Sequence, residues 1–362
     1  MSSTTTPTEL KPPQLGLIEG FYGPLWPQQA RDSVAQHVAG AGYGFYHYAP
    51  KADPAVRENW REPRDDAAAA ELAAFGERCH GLGLGFGVGL TPLGIDLPPS
   101  RADYRHLGRR LDELETLGAS ELLIGFDDTY GGPPDLARRQ AELVHWIAGR
   151  ARVERVCVCP TYYSDDPLLD KLFGQRPPRY LEELGRALEP GIDVYWAGPA
   201  ICPAVIPPAH IEAVAEALDR PPLLWDNYPV NDGPAMAPHL HLRAPTGRSS
   251  ELAALLAGHA VNPALQPTLS MIPALALAEC YRSGNGYDPA TAFDRAATAV
   301  LGETLAQRVA ADLPELQDAG REALLDPAGL RARYADSAHP GAREIVAWLD
   351  GAYQPSDVPT QP

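Results

Sequence analysis

The chain has 362 residues, 45% of them hydrophobic and 21% charged, which provides for a large buried core and excludes disordered and fibrous classes. Its 47 acidic against 30 basic residues give a formal charge of -17, which argues against nucleic acid or anionic lipid as the main partner. Five cysteines are an odd number in a chain too long to need staples, and Cys157 and Cys159 sit in an apolar run, so reduced core thiols are expected.

In chain order, residues 1–14 and 354–362 read as disordered tails. The opening MSSTTTPTELKPP lacks the basic and apolar regions of a secretory leader, and no stretch approaches ~18 uninterrupted apolar residues. The expectation is a soluble, cytoplasmic protein without a membrane partner. Over residues 15–285 short apolar runs alternate with longer amphipathic stretches, the rhythm of repeated βα units. Strands are predicted at 15–19, 43–48, 84–90, 121–126, 153–158, 192–196, 222–226 and 258–261. Helices are predicted at 27–40, 66–81, 103–117, 134–150, 178–188, 207–219, 249–256 and 267–282. Eight strands, each followed by a helix, imply an α/β fold closed as a (β/α)8 TIM barrel, whose active site forms from the loops after the strand C-termini. A doubly wound sheet is the alternative with the same rhythm. Residues 286–353 change to helices alone, near 287–302, 303–319 and 340–352, and read as a small all-helical C-terminal domain.

In a barrel the polar residues just past each strand form the functional shortlist. Strand one ends in Glu19, Gly20, Phe21, Tyr22 and Gly23, strand two in Tyr48 to Lys51, strand four in Asp127 and Asp128, and strand five in Thr161 to Tyr163. Strand six ends at Trp196, strand seven at Asp226 and Asn227 with Asn231 and Asp232 beyond, and strand eight at Asn262. Lysine occurs only as Lys11, Lys51 and Lys171, and asparagine only as Asn59, Asn227, Asn231, Asn262 and Asn285. Lys51 and three of those asparagines fall on the predicted active face, which favours function over compositional drift.

Asp127 and Asp128 are the centre of the list. Two close carboxylates do not ionise independently, so such a pair supplies a general acid beside a permanent anion. The same pair also suits a helix N-cap. Tyr22, Tyr163, Trp196 and Trp225 lie at or beside strand ends, where a sugar ring needs flat apolar walls with polar edges. Metal chemistry is not indicated, because His239 and His241 alternate with leucines and lack a third ligand at sensible spacing. The glycine-rich run at 81–89 lacks an ordered phosphate-binding pattern, and no G-x-S-x-G nucleophile elbow is present.

Seven ordered blocks carry a resemblance: GLIEGFYGPLW at 16–26, YHYAPKAD and WREP within 46–63, IGFDD at 124–128, CPTYY at 159–163, YWAGP at 195–199, WDNYPVND at 225–232 and VNP at 261–263. Together they resemble glycoside hydrolase family 84, the β-N-acetylglucosaminidases that include protein O-GlcNAcases. The resemblance implies a retaining, substrate-assisted exo-hydrolase acting on an N-acetylglucosaminide through an oxazoline, with no cofactor. Asp127 would orient the 2-acetamido group and Asp128 would serve as general acid and base. Tyr163 and Asn227 would hold the acetamido group and the acid, Trp196 would wall the methyl, Gly20 and Lys51 would bind the 3-hydroxyl, and Asp232 and Asn262 the 4- and 6-hydroxyls. A homodimer is compatible with this reading. Two other readings remain open: a sugar-binding or regulatory barrel, which has no need of an acid pair, and a hyaluronidase-like hydrolase, whose polyanionic substrate the chain's acidity would repel.

Overall fold

The computed structural model describes residues 13–353 and residue 355. The disorder expected of the two tails therefore lies almost wholly outside the described residues, except that Gln14 already opens the first strand. The first half of the barrel runs β1 (Gln14–Glu19), α1 (Gln28–Gly40), β2 (Phe45–Tyr48), α2 (Asp66–Gly81), β3 (Gly85–Leu90), α3 (Arg101–Thr116), β4 (Glu121–Gly125) and α4 (Leu136–Ala148). The second half runs β5 (Arg155–Cys159), α5 (Pro167–Phe173), α6 (Tyr180–Ala187), β6 (Ile192–Trp196), α7 (Pro208–Leu218), β7 (Leu223–Asp226), a 3-10 turn at Ser250–Ala254, β8 (Gly258–Val261) and α8 (Pro267–Ser283).

The eight strands pair in sequence order, all parallel, and β8 closes on β1 with Gly16 opposite Ala260. Parallel strands covered on both faces read as continuous apolar runs, and every residue of β2, β4, β7 and β8 is buried. Helices cover the outside with one apolar face each. In α3, Ser100 and Asp103 form a reciprocal capping box, and Leu107, Leu111 and Leu114 face the core. The glycines of β3 make room for side chains crossing the barrel: a Cβ on Gly85 would lie 2.2 Å from Glu121, and one on Gly87 would lie 2.3 Å from His47.

Four helices follow: α9 (Pro289–Leu301), α10 (Glu303–Leu313), α11 (Pro327–Ala335) and α12 (Pro340–Leu349). They are stitched to the barrel by specific bonds. Glu344 of α12 accepts the free backbone N–H groups of Thr268 and Leu269 at 2.9 Å each, capping α8 from outside its own chain segment. Trp348 donates its indole N–H to the Ala237 carbonyl at 3.0 Å, and the Gln317 side chain accepts from Leu242 and Arg243 at 2.8 and 2.9 Å. The long excursion after β7 is thereby pinned against the appended helices.

Three helix expectations change. The helix predicted over 303–319 stops at Leu313, because Pro314 has no N–H to continue the ladder and the chain widens into a π turn over Pro314–Ala319. The stretch at 249–256 is only a 3-10 turn started by Ser249. Two short helices, α5 and α11, were not predicted; each opens with Asp before Pro, the aspartate capping the first turn. Among the described residues no helix is long and apolar enough to cross a membrane.

Candidate active site

The loops at the strand C-termini enclose a small cavity. Asp127, Asp128, Gly20, Lys51, Tyr163, Asn227, Asp232 and Asn262 all line it. Tyr22, Cys159, Ile201 and Trp225 complete the wall.

The acid pair is set by the end of β4. After Gly125 the chain leaves the barrel, and Asp128 takes a φ of 57°, the left-handed region that aspartate tolerates better than most residues. The reversal gives the two neighbouring carboxylates different partners. Asp127 Oδ2 meets the Lys51 ammonium, while Asp128 accepts the Tyr22 hydroxyl on Oδ2 and the Tyr163 hydroxyl on Oδ1 at 3.2 Å. Arg57 clamps the backbone beneath them, donating to the carbonyl oxygens of Asp127 and Asp128 at 3.3 Å each. The helix-cap alternative does not apply, since α4 begins at Leu136 with Asp135 at its N-cap position.

The electrostatics follow from those partners. Burial pushes the Asp127 carboxyl up, but the Lys51 and Arg57 charges outweigh it and hold the group below the usual carboxylate range. Burial and the neighbouring Asp128 carboxylate raise the Tyr22 phenol, which stays protonated and donating. Asp232 behaves in the opposite way to Asp127: burial pushes it up to about 7. Its Oδ2 accepts the Tyr22 backbone N–H at 2.7 Å, and its Oδ1, buried in the cavity wall, has no hydrogen-bond partner among the described residues.

On the far side a chain of amides fixes the wall. Asn262 accepts from Gly20 N at 3.1 Å and donates to Asn227 Oδ1 at 2.9 Å. Asn227 Oδ1 also accepts the Trp225 indole N–H at 3.0 Å, and its amide donates to the Ile201 carbonyl at 2.8 Å. The Trp225 ring lies so close to the β1 loop that a Cβ on Gly20 would fall 2.1 Å from it, so glycine is required there. Lys51 Nζ stands 5.6 Å from the centre of the same ring.

Trp196, expected as a wall, does not line the cavity. Successive strand side chains point to opposite faces. Tyr195 points into the barrel, its hydroxyl 2.8 Å from His47 Nδ1, so Trp196 points outward and donates its indole N–H to His210 of α7 at 3.0 Å. The aromatic wall is Trp225 instead. The same parity removes two carboxylates from the shortlist. Glu19 turns outward to a bidentate pair with Arg31 of α1, and Asp226 to a bidentate pair with Arg248, which with His259 lowers its pKa against the cost of burial. Asn231 ties loops together through Leu265, His239 and Gln266. Arg57 and Ile201 were missed; Arg57 is one of three arginines, with Arg61 and Arg64, in the loop after Lys51, and nothing local sets it apart.

Among the described residues one trio has potential ligand atoms within 4.8 Å of one another: His47, Glu121 and Cys157, deep in the barrel. Two of its three members are already engaged, His47 Nε2 with Glu121 at 2.7 Å and Glu121 with Arg155 at 3.4 Å.

Comparison with known proteins places the chain in a family. Protein O-GlcNAcase from Rattus norvegicus and that from Mus musculus are each 29% identical over 278 residues, spanning 74% of this chain and 30% of theirs. The chain therefore corresponds to under a third of the length of those curated relatives. The solved structure of a mutant Thermobaculum terrenum O-GlcNAc hydrolase superposes with a TM-score of 0.78 at 27% identity, over 92% of this chain and 80% of that one. A family model described as beta-N-acetylglucosaminidase matches residues 15–317, which takes in the whole barrel, all nine site residues predicted from sequence and the first two appended helices. On that match the chain belongs to the β-N-acetylglucosaminidases of glycoside hydrolase family 84.

Proposed function

We propose that this protein is a retaining exo-β-N-acetylglucosaminidase in which the substrate's own 2-acetamido oxygen is the nucleophile. One observation carries the reading: two adjacent carboxylates with separate partner sets, Asp127 held ionised by Lys51 and Arg57, and Asp128 held between two tyrosine hydroxyls. The likeness to the rat and mouse protein O-GlcNAcases and to the T. terrenum O-GlcNAc hydrolase supports the same substrate class.

In this mechanism Asp127 accepts the acetamido N–H. Electron density moves to the amide oxygen, which attacks the anomeric carbon as the glycosidic bond breaks. Asp128 gives its proton to the departing oxygen, then takes one from the water that opens the oxazoline. Two displacements at one carbon return the original anomer. Lys51 keeps the charge on Asp127 and, with the Gly20 region, meets the 3-hydroxyl. Tyr163 steadies Asp128 and the acetamido group, and Trp225, braced by Asn227, walls the methyl. The unpartnered oxygen of Asp232, with Asn262, receives the 4- and 6-hydroxyls.

Hydrolysis of a nitrophenyl β-N-acetylglucosaminide, followed by proton NMR of the first-formed product, tests the proposal. The β anomer is expected first. The α anomer first, or sugar binding without turnover, contradicts it.

A further inference from the structure

Tyr353 lies beyond residues 15–317, the span of the family match, yet it reaches the loops that build the candidate active site. Its place follows from how α12 ends. Gly351 takes a φ of 70°, its N–H bonds the Trp348 carbonyl at 3.0 Å, and the Ala352 N–H reaches back to the Ala347 carbonyl at 2.9 Å, the paired bonds by which a glycine stops a helix. The turn carries Tyr353 off the helix and onto the barrel mouth.

There the half-buried side chain meets two loops at once. Its hydroxyl donates to the backbone carbonyl of Asp232 at 2.9 Å, and burial beside the Asp232 carboxylate pushes the phenol up to about 12, so it stays a donor. Its ring rests on the loop after β1, where a Cβ on Gly23 would fall 2.9 Å from it. Gly23 follows Tyr22, whose N–H donates to Asp232 Oδ2 at 2.7 Å and whose hydroxyl donates to Asp128. Tyr353 therefore braces both partners of the bond that aims the Asp232 side chain. Asn231 anchors the backbone one residue earlier, through Leu265 and His239, and Tyr353 anchors it at Asp232 itself. A carboxylate that is to meet a ligand hydroxyl with its unpartnered Oδ1 depends on such supports, since binding groups must be held to within about 0.5 Å.

We infer that Tyr353 is a positioning residue: it does not line the cavity, and by fixing Asp232 against the β1 loop it sets how strongly the site reads the sugar's 4- and 6-hydroxyls. The inference rests on the proposed function, in which Asp232 receives those hydroxyls. The test compares kcat/KM for nitrophenyl β-N-acetylglucosaminide and for its 4,6-dideoxy form, in the wild-type protein and in Tyr353→Phe, which keeps the ring on Gly23 and loses only the hydroxyl. With an unchanged melting point, Tyr353→Phe is expected to lose about fivefold on the parent glycoside, the scale of one hydrogen bond, chiefly through KM. On the dideoxy form it should lose less than about twofold, because the hydroxyls that Asp232 reads are already gone. A merely structural role would slow both substrates alike. Equal losses on the two, or no loss on either, overturn the positioning role and leave the proposed function standing. A wild-type protein that hydrolyses neither glycoside, or both equally well, overturns the proposed function or its assignment of Asp232, and the inference with it.

Discussion

The barrel buries charge at both ends and handles it differently. At the N-terminal end the cluster closes on itself: His47 bonds Glu121 through Nε2 and Tyr195 through Nδ1, and Arg155 joins Glu121 at 3.4 Å, Asp193 at 2.6 Å and Gln14 at 3.2 Å. At the mouth the polar groups aim at space. Asp232 leaves an oxygen without a partner, Asp128 sits on a left-handed backbone, and tyrosine hydroxyls meet a carboxylate at the cavity surface. A closed network in a low dielectric supports the fold. An open one costs stability and is kept where a ligand completes it.

That contrast breaks first at Asp128. Asp128→Asn should lower kcat/KM by ~10²–10⁴ for alkyl glycosides, whose leaving oxygen needs a proton, and far less for an activated aryl glycoside. Equal losses on the two substrates would remove the acid role. At the other end Glu121→Gln should cost about 1–3 kcal/mol of stability by taking a charged acceptor from His47 and Arg155, yet leave KM nearly unchanged in the protein that folds. A KM shift comparable with that of mouth substitutions would erase the division between the two ends. Lys51→Arg should lower kcat/KM about tenfold or more, the scale of a lost charged hydrogen bond of roughly 1.5–3 kcal/mol, because a planar fork does not replace a compact ammonium on Asp127. Unchanged kinetics would return Lys51 to compositional drift.

The smallest effect is also the sharpest, because the two ends carry opposite pH signs. Burial alone would raise Glu121, but His47 and Arg155 lower it, so its contribution is present above the unfolded value of about 4.3 and is lost as pH falls through the folded value. Asp232 is pushed up to about 7 by burial, so the folded state prefers the proton. Stability there is full below the unfolded value of about 3.9 and declines as pH rises toward 7. Asp232→Asn should therefore raise the melting point by a few degrees near pH 8 and scarcely at pH 4, and Glu121→Gln should show its deficit at neutral pH and less of it in acid. Parallel pH curves for the two variants would show that the ends do not differ in this way.

The eight-strand rhythm was legible because buried parallel strands are short apolar runs between amphipathic helices, and the strand limits fall within two residues of expectation. Eight of the nine site residues predicted from sequence line one cavity because the barrel gathers its strand ends. Trp196 was misplaced because closeness to a strand end was read without the alternation of side chains; the Tyr195 contact with His47 fixes which face each residue takes. Arg57 was invisible because it acts through backbone carbonyls, which leave no mark on side-chain chemistry. The pairing of Lys51 with Asp127 joins loops 76 residues apart, a relation no local spacing encodes.

The central claim is that Asp127 orients the substrate's acetamide and does not attack the sugar. Its most direct test is the rate of hydrolysis of aryl N-acyl glucosaminides whose acetyl group carries zero, one, two or three fluorines, measured where bond cleavage limits the rate. The account predicts a progressive fall in kcat/KM as the amide oxygen loses electron density, and a weaker dependence in Asp127→Asn. A flat response, together with a covalent glycosyl group trapped on Asp127 and seen by mass spectrometry, would contradict it.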